Sequence, residues 1–245
     1  MNVFQILIRD PQFENSELPN SLTDAINTVR NSFQSLHYTL YTNATLRKFI
    51  AENFEAYILK TYDNLKPYAY KSDLGRYCIL AKTGGWYIDI GLKLLQSLHV
   101  NAEIDLILFS DRGCGSCAPW AIQNGLIYSK PENQIFYSAI DAICANYKNS
   151  YYGKSALDPT GPNLFGKAVA CNEVNNNIYF GEFRPITADL SINNLMYISR
   201  TGQLIAQHKT SWLPGSEGGD LTALGLEGTN NYKELWANKD IYINT

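Results

Sequence analysis

The sequence predicts an α/β fold, because stretches patterned as strands alternate with stretches patterned as helices. An apolar run over residues 3–8 predicts a buried strand, and a turn-rich segment follows it. A helix is predicted from Ser21, where Asp24 stands at capping-box distance and apolar residues take the spacing of one helical face. Residues 38–41 then predict a second strand. This order is typical of a sheet whose strands are joined by crossover helices.

The later stretches extend the same alternation. Residues 71–82 keep a helical period, and Gly84 and Gly85 stand where that helix ends. The aromatic and β-branched residues that follow, up to Ile90, favour a strand. No repeat or linker interrupts the chain, so one domain over residues 1–245 is expected. Further predicted elements are helices at 46–50, 54–62, 134–147 and 164–171, a strand at 104–109, and short strands with long loops in the C-terminal third.

The composition predicts a globular protein with its own core. Of the 245 residues, 45% are hydrophobic and 18% are charged, which excludes a disordered chain. A net charge of −3 without a basic run argues against a nucleic-acid partner. No apolar stretch approaches the roughly 18 residues of a membrane span, so a cytoplasmic location with at most peripheral membrane contact is expected. The odd number of cysteines, 5, fits a reducing compartment.

Three polar residues stand where an α/β sheet binds ligands. Asp73 and Arg76 are three positions apart, so a helix presents them on one face. Asp89 ends an apolar strand, and the carboxyl ends of strands form the edge where such sheets bind ligands. Considered separately, Asp73 and Arg76 are explained by a surface ion pair, and Asp89 is explained by a turn. Together they favour a site.

These residues lie in a longer pattern that resembles a known family. The pattern consists of Ser72-Asp73-Leu74-Gly75-Arg76-Tyr77 followed by Gly84-Gly85-Trp86-Tyr87-Ile88-Asp89. It resembles the signature of glycosyltransferases whose sugar-binding region contains the DXD motif. This family includes outer-chain mannosyltransferases, capsular polysaccharide and lipopolysaccharide transferases and, more distantly, the clostridial glucosylating toxins. Weaker similarity follows at Gln123-Asn124 ahead of an apolar helix, at Thr160-Gly161-Pro162, and at His208 with Ser211-Trp212.

The resemblance implies a fold and an activity. The fold would be of the GT-A type, a Rossmann-like mixed sheet that binds a nucleotide sugar and is flanked by helices. The enzyme would be a retaining hexosyltransferase that takes a sugar from a nucleotide diphosphate sugar, with UDP favoured. The acceptor would be an oligosaccharide or a lipid-linked glycan in surface polysaccharide or lipopolysaccharide synthesis, at the inner face of the membrane in the lipid-linked case. Mn²⁺ or Mg²⁺ would offset the charge of the diphosphate.

The resemblance also assigns roles residue by residue. Asp89 matches the first motif aspartate and, with His208, would bind the metal ion. The catalytic set would be Asp89, Asp73, Arg76 and Asn124. The donor-binding set would be Gln5, Asp73, Arg76, Tyr87, Asp89, Lys93, Gln123, Gly161, Ser211 and Trp212.

The chain departs from the family pattern at the second motif aspartate, which is Gly91 here. Three interpretations stay open. A metal ion binds through Asp89, His208, the diphosphate and water. Alternatively, a side-chain cation offsets the diphosphate, and Lys93 lies on the same strand face as Asp89 if the strand continues that far. In the third, catalysis is lost and the chain is a non-catalytic module that binds sugar nucleotides or glycans.

A different class of function rests on two cysteines. Cys114 and Cys117 have the spacing of a redox or metal motif, which would make the chain a thiol or metal protein. No second cysteine pair and no nearby histidine completes a tetrahedral site. A loop near the acceptor is the simpler interpretation of this segment.

Overall fold

A mixed sheet forms the centre of the molecule. The structure is a computed structural model, which describes residues 2–33, 37–112, 118–172, 177–187, 194–212 and 221–243. Its strands lie in the order β2-β1-β3-β6-β5-β7-β8-β9-β4. β1 pairs in parallel with β2 and β3, and β5 with β7, whereas the other neighbours are antiparallel. The strands are β1 Asn2–Ile6, β2 His37–Tyr41, β3 Gly85–Ile88, β4 Lys93–Leu94, β5 Leu106–Asp111, β6 Ile122–Ser129, β7 Ile178–Pro185, β8 Leu195–Ile198 and β9 Leu204–Gln207.

Both faces of the sheet are buried, because successive side chains of a strand point to opposite sides. In β1, Phe4 joins the larger core cluster and Val3 joins the second one. The larger cluster packs under α2 to α6 and α8, and the second lies under α1. The helices are α1 Asn20–Ser32, α2 Asn43–Asn53, α3 Ala56–Asn64, α4 Tyr68–Thr83, α5 Gln134–Lys148, α6 Pro162–Cys171, α7 Lys209–Trp212 and α8 Tyr232–Ala237.

Most predicted elements are confirmed, and the α/β architecture with them. The alternation of strand and helix from β1 to β3 gives parallel pairs, as crossover connections require. The C-terminal third consists of short strands and loops, as expected. Within the described residues, no helix is long and apolar enough to cross a membrane.

Two local predictions were wrong, and one strand was not predicted. No side chain caps α1, which begins at Asn20 behind Pro19 rather than on a capping box at Ser21; a capping box stands instead at Thr42 and Thr45 before α2. β3 ends at Ile88, so Ile90 lies in a turn. Gln123 and Asn124 lie in strand β6, and the next helix starts at Gln134. In each case a tertiary contact or a proline decided a boundary that the local pattern left ambiguous.

The junction between α4 and β3 requires two glycines. Gly84 and Gly85 have φ values of 59° and 100°, which ordinary side chains rarely adopt. A side chain at Gly85 would also collide with the backbone carbonyl of Asn2 in β1. The two glycines therefore let the chain leave α4 and enter the sheet directly beside β1.

A third glycine lets α4 approach α2 closely. A methyl group at Gly75 would lie 2.5 Å from Leu46 Cδ2, although both residues are in helices. The close contact fixes the rotation of α4 about its axis, because Gly75 lies on the side of the helix away from Asp73 and Arg76. The face that carries those two side chains is therefore turned towards the sheet.

We expect Gly75→Ala to destabilise the protein, although alanine is the better helix former by about 1 kcal/mol. The added methyl group overpacks the contact with Leu46, which costs about 1–3 kcal/mol of unfolding free energy. Urea denaturation measures the change. The control is Leu46→Ala, which alone leaves a cavity but together with Gly75→Ala should lose less than the sum of the two changes. Additive losses would contradict the proposed close contact.

Candidate functional site

A cleft opens at the carboxyl ends of β1 and β3. The chain leaves β1 at Ile6 and β3 at Ile88, and these two parallel strands are neighbours. Their ends therefore meet at one edge of the sheet, which is where α/β sheets bind ligands. The lining is apolar on one side and charged on the other. It includes Ile6, Leu7, Ile8, Tyr68, Ser72, Arg76, Tyr87, Asp89, Gly91, His208 and Lys209.

The guanidinium of Arg76 joins two carboxylates. Its Nη2 lies 3.0 Å from Asp73 Oδ1 and its Nη1 lies 3.2 Å from Asp89 Oδ1. Nη1 also donates to the backbone carbonyl of Asn124 at 2.6 Å, and the ring of Tyr87 packs against the guanidinium at 4.3 Å. Burial alone would lower the pKa of Arg76, but the surrounding negative charge outweighs burial and raises it. The side chain therefore stays charged and connects α4, β6 and the end of β3.

Asp73 is enclosed by hydrogen-bond donors. Its Oδ1 accepts from Asn124 Nδ2 at 2.8 Å, and its Oδ2 accepts from Thr160 Oγ1 at 2.7 Å. Burial raises the pKa of Asp73, and Arg76, Thr160 and Asn124 oppose that rise. The Asp73 side chain is only 9% exposed. This carboxylate therefore positions Arg76 and Asn124 rather than reaching into the cleft.

Asp89 is the carboxylate that faces the cleft, since its side chain is 39% exposed. Its Oδ1 accepts hydrogen bonds from Arg76 and from the hydroxyl of Tyr87. The backbone around Asp89 is held from both sides: its N–H donates to the carbonyl of Gly125 at 2.7 Å, and its carbonyl accepts from Gln5 Nε2 at 3.2 Å. The direction of the carboxylate is therefore fixed before any ligand binds.

The chain turns immediately after Asp89. The N–H of Leu92 donates to the carbonyl of Asp89 at 3.0 Å, which closes a turn over residues 89–92. The expected alignment of Asp89, Gly91 and Lys93 along one strand face is therefore wrong, because β3 does not continue that far. Lys93 lies in β4, where it pairs with Gln207 of β9, and it is not among the residues of the cleft wall.

A lysine side chain occupies the space beside Gly91. A Cβ atom at position 91 would lie 2.9 Å from Cδ and 3.1 Å from Cβ of Lys209. Lys209 is 8% exposed and lines the same cleft as Asp89. The stem of Lys209 thus packs in the space where the side chain of an aspartate at position 91 would begin.

His208 lines the cleft with its imidazole in the neutral form. Burial and the charge of Lys209 lower the pKa of His208 to about 3. Its Nδ1 accepts from the backbone N–H of Thr210 at 3.4 Å and lies 2.9 Å from Thr210 Oγ1. Because a backbone N–H can only donate, this arrangement assigns the proton of the neutral ring to Nε2.

The residues of the cleft do not fit a divalent ion held by a carboxylate pair. Oδ1 of Asp89 already accepts two hydrogen bonds, and Lys209 packs where a second carboxylate would project. His208 faces the cleft with Nδ1 already engaged by Thr210, and no second carboxylate joins Asp89 among the described residues that line the cleft. In the part of the chain that the structure describes, no three His, Cys, Asp or Glu side chains stand close enough to hold a metal ion.

Four other residues expected in the site are not among those that line the cleft, namely Gln5, Gln123, Gly161 and Ser211. Gln5 is fully buried and supports the Asp89 turn, and Gln123 Oε1 accepts from the N–H of Gly125 at 2.7 Å. Gly161 precedes α6, and Ser211 Oγ donates to the backbone carbonyl of Leu195 at 2.9 Å. Trp212 ends α7, and its side chain lies outside the described residues, as do Cys114 and Cys117.

Sequence reasoning missed three residues of this site. Thr160 holds Asp73, and Lys209 covers Gly91. The third is Tyr197, whose buried hydroxyl has no hydrogen-bond partner among the described residues and which, with Asp89 Oδ2, fills the space beside Gly125. Burial raises the pKa of Tyr197, so the phenol remains a donor beside Asp89. Only Thr160 carried a sequence signal, its position next to Gly161-Pro162.

We expect Thr160→Val to lower the unfolding free energy by about 1–3 kcal/mol at neutral pH, because a buried carboxylate loses a donor. The donor stabilises ionised Asp73, whose pKa is raised in the folded protein. The loss should therefore be full above that pKa and shrink as the pH falls through it. Urea unfolding from about pH 8 to about pH 5 measures it, with Thr160→Ser as the control. No loss at neutral pH would contradict the assigned hydrogen bond.

The sequence comparisons agree with this geometry. Residues 19–110 match the family described as the glycosyltransferase sugar-binding region containing DXD motif. This segment contains Asp73, Arg76, Asp89 and Gly91, and therefore both the charged cluster and the departure from the motif.

The chain is similar to a curated viral protein and to a solved structure. The chain is 28% identical over 137 residues to the uncharacterized glycosyltransferase L373 of Acanthamoeba polyphaga mimivirus, a match that covers 56% of this chain and 52% of the viral protein. The chain thus spans about half the length of that curated relative. Among solved structures, the PaToxG glycosyltransferase is similar with a TM-score of 0.46 and 17% identity, over 69% of this chain and 67% of that one.

The α/β fold expected from the sequence, a mixed sheet flanked by helices, is confirmed. Its charged cluster lies inside the matched segment, at the sheet edge where α/β folds bind ligands. The family match over residues 19–110 and the viral relative therefore both indicate similarity to glycosyltransferases whose sugar-binding region contains the DXD motif.

Proposed function

We propose that this chain transfers a sugar from a nucleotide diphosphate sugar, with UDP as the favoured nucleotide, to a glycan acceptor with retention of configuration. The acceptor would be an oligosaccharide or a lipid-linked glycan of a surface polysaccharide or lipopolysaccharide, built on the cytoplasmic side of the membrane by one domain over residues 1–245. The observation that carries the proposal is the exposed carboxylate of Asp89, fixed by buried Arg76 at the mouth of the cleft.

The charged side of the cleft is suited to a sugar or ribose. A carboxylate accepts hydrogen bonds from neighbouring hydroxyl groups, and Asp89 presents Oδ2 for this purpose while Oδ1 is occupied by Arg76 and Tyr87. Because the Asp89 backbone is bonded to β1 and β6, the carboxylate loses little freedom when a ligand binds. A fixed acceptor of this kind orients a donor for reaction.

The apolar side of the cleft is suited to a nucleobase. Ile6 and Ile8 are buried at and just beyond the end of β1, and Tyr68, the first residue of α4, lines the same cleft. The hydroxyl of Tyr68 donates to Asp10, which fixes the ring. A planar base gains contact area against such a wall at little cost in side-chain entropy.

A second candidate function is non-catalytic binding of sugar nucleotides or glycans. The observation that favours it is Gly91, which removes one of the two carboxylates of the motif, with Lys209 packed into the vacated space. Such a module would bind the nucleotide in the same cleft. It would turn over no donor.

We expect Asp89→Asn to reduce donor hydrolysis and sugar transfer by tenfold or more, since a fixed charged acceptor is worth about 1.5–3 kcal/mol. The assay measures release of UDP from UDP-sugars, with GDP-sugars in parallel. The matched control is Asp63→Asn, because Asp63 also pairs with an arginine, Arg47, but on the surface at 2.8 Å. The control variant should keep full activity.

The results separate the two candidate functions. Donor turnover that Asp89→Asn abolishes and Asp63→Asn preserves supports the transferase. Tight nucleotide binding without turnover of any donor tested supports the binding module. Equal activity in the wild type and in Asp89→Asn would contradict the placement of the site in this cleft.

A further inference from the structure

We propose that the ammonium of Lys209 supplies the positive charge that the diphosphate of the ligand requires, so that this cleft binds a nucleoside diphosphate without a divalent metal ion. The inference rests on the proposed function, because it concerns the diphosphate of that ligand. It concerns binding alone and adds no chemical step.

The first argument is steric. Cβ and Cδ of Lys209 lie 3.1 and 2.9 Å from the position of a Cβ atom at residue 91. The second motif aspartate would start from that point, so an aspartate at position 91 would require the lysine stem to shift. The stem therefore runs past the place from which a second carboxylate would reach a metal ion.

The second argument is electrostatic. Asp89 and Lys209 line one cleft, so the motif region presents one carboxylate and one ammonium instead of two carboxylates. Lysine binds phosphate groups in proteins as a compact point charge. Two carboxylates would instead repel a diphosphate unless a cation intervened.

The third argument comes from His208. Its Nδ1 is engaged by Thr210, so a neutral ring carries its proton on Nε2. In that form the ring offers an Nε2–H donor to an anion. His208 and Lys209 thus offer two adjacent donors of the kind that a diphosphate accepts.

Backbone contacts hold this segment in place without a ligand. The N–H of His208 donates to the carbonyl of Leu195 at 3.0 Å, and Ser211 Oγ accepts from the N–H of Leu195 at 2.5 Å. Residues 208 to 211 are therefore hydrogen-bonded to Leu195, the first residue of β8. Lys209 does not have to be brought to the cleft by the ligand, which limits the entropy lost on binding.

The test is calorimetric titration of UDP and of GDP into the full chain, once with a chelator and once with Mn²⁺. For the nucleotide that binds, the dissociation constant of the wild type should agree within about threefold between the two conditions. Lys209→Met should weaken binding by about tenfold or more in the chelator, because it keeps the length of the stem and removes the charge. Thermal unfolding checks that this variant is folded.

Two further variants separate Lys209 from other lysines. Lys130→Met is the control, since Lys130 pairs with Asp105 at 2.6 Å and is not among the residues that line the cleft, so this variant should leave binding unchanged. Lys93→Met tests the alternative cation of the sequence analysis. A loss of affinity in Lys93→Met without one in Lys209→Met would overturn the proposal.

The reverse experiment rebuilds the motif. The double variant Gly91→Asp with Lys209→Ala removes the stem and restores the second carboxylate, so its nucleotide binding should become dependent on Mn²⁺. Metal-independent binding by this variant would overturn the proposal, because the charge of Lys209 would then be dispensable.

The outcomes for the wild type distinguish the two levels of inference. Binding only in the presence of Mn²⁺ would overturn the role of Lys209 and leave the proposed function standing. Binding in the chelator that Lys209→Met does not weaken would do the same. No binding of either nucleotide in either condition would contradict the proposed function together with the inference that rests on it.

Discussion

The buried guanidinium of Arg76 is the interaction on which the rest of the site depends. It ties Asp73 of α4 to Asp89 at the end of β3, and it reaches the backbone of β6 through Asn124. Removal of Arg76 would leave a buried carboxylate without its partner, which lowers the free energy of unfolding by about 3–5 kcal/mol. The same contacts that stabilise the packing of α4 on the sheet therefore fix the direction of the one exposed carboxylate.

The two aspartates of this cluster have different roles because they differ in exposure to solvent. Asp73 receives donors on both oxygens and is nearly sealed, whereas Asp89 keeps part of its carboxylate open to the cleft. A planar cation between them lets one carboxylate be structural and the other be available to a ligand. Lys209 adds a second cation to the lining of the cleft, beside Gly91. The resulting charge pattern differs from that of a carboxylate pair.

Local patterns predicted the elements of the fold well where sterics alone decide them. The glycines at 84 and 85 ended α4 and opened β3, because only glycine tolerates the φ values there. The pattern failed at β6, whose apolar residues are consistent with either a strand or a helix until a neighbouring strand pairs with them. It also failed beyond Ile88, where a backbone hydrogen bond to Asp89 closes a turn instead of extending the strand.

By itself, the sequence determined the α/β class, the helix that carries Asp73 and Arg76, and the strand that ends at Asp89, because helical and strand periodicity are local properties. It also showed that Gly91 breaks the motif. Only the tertiary structure decided which aspartate is open, and which cation stands beside Gly91. Both depend on contacts between segments far apart in the sequence. Thr160 hydrogen-bonds to Asp73, and Lys209 packs against Gly91. No spacing in the sequence encodes such a contact, since the sheet brings these segments together only when it folds.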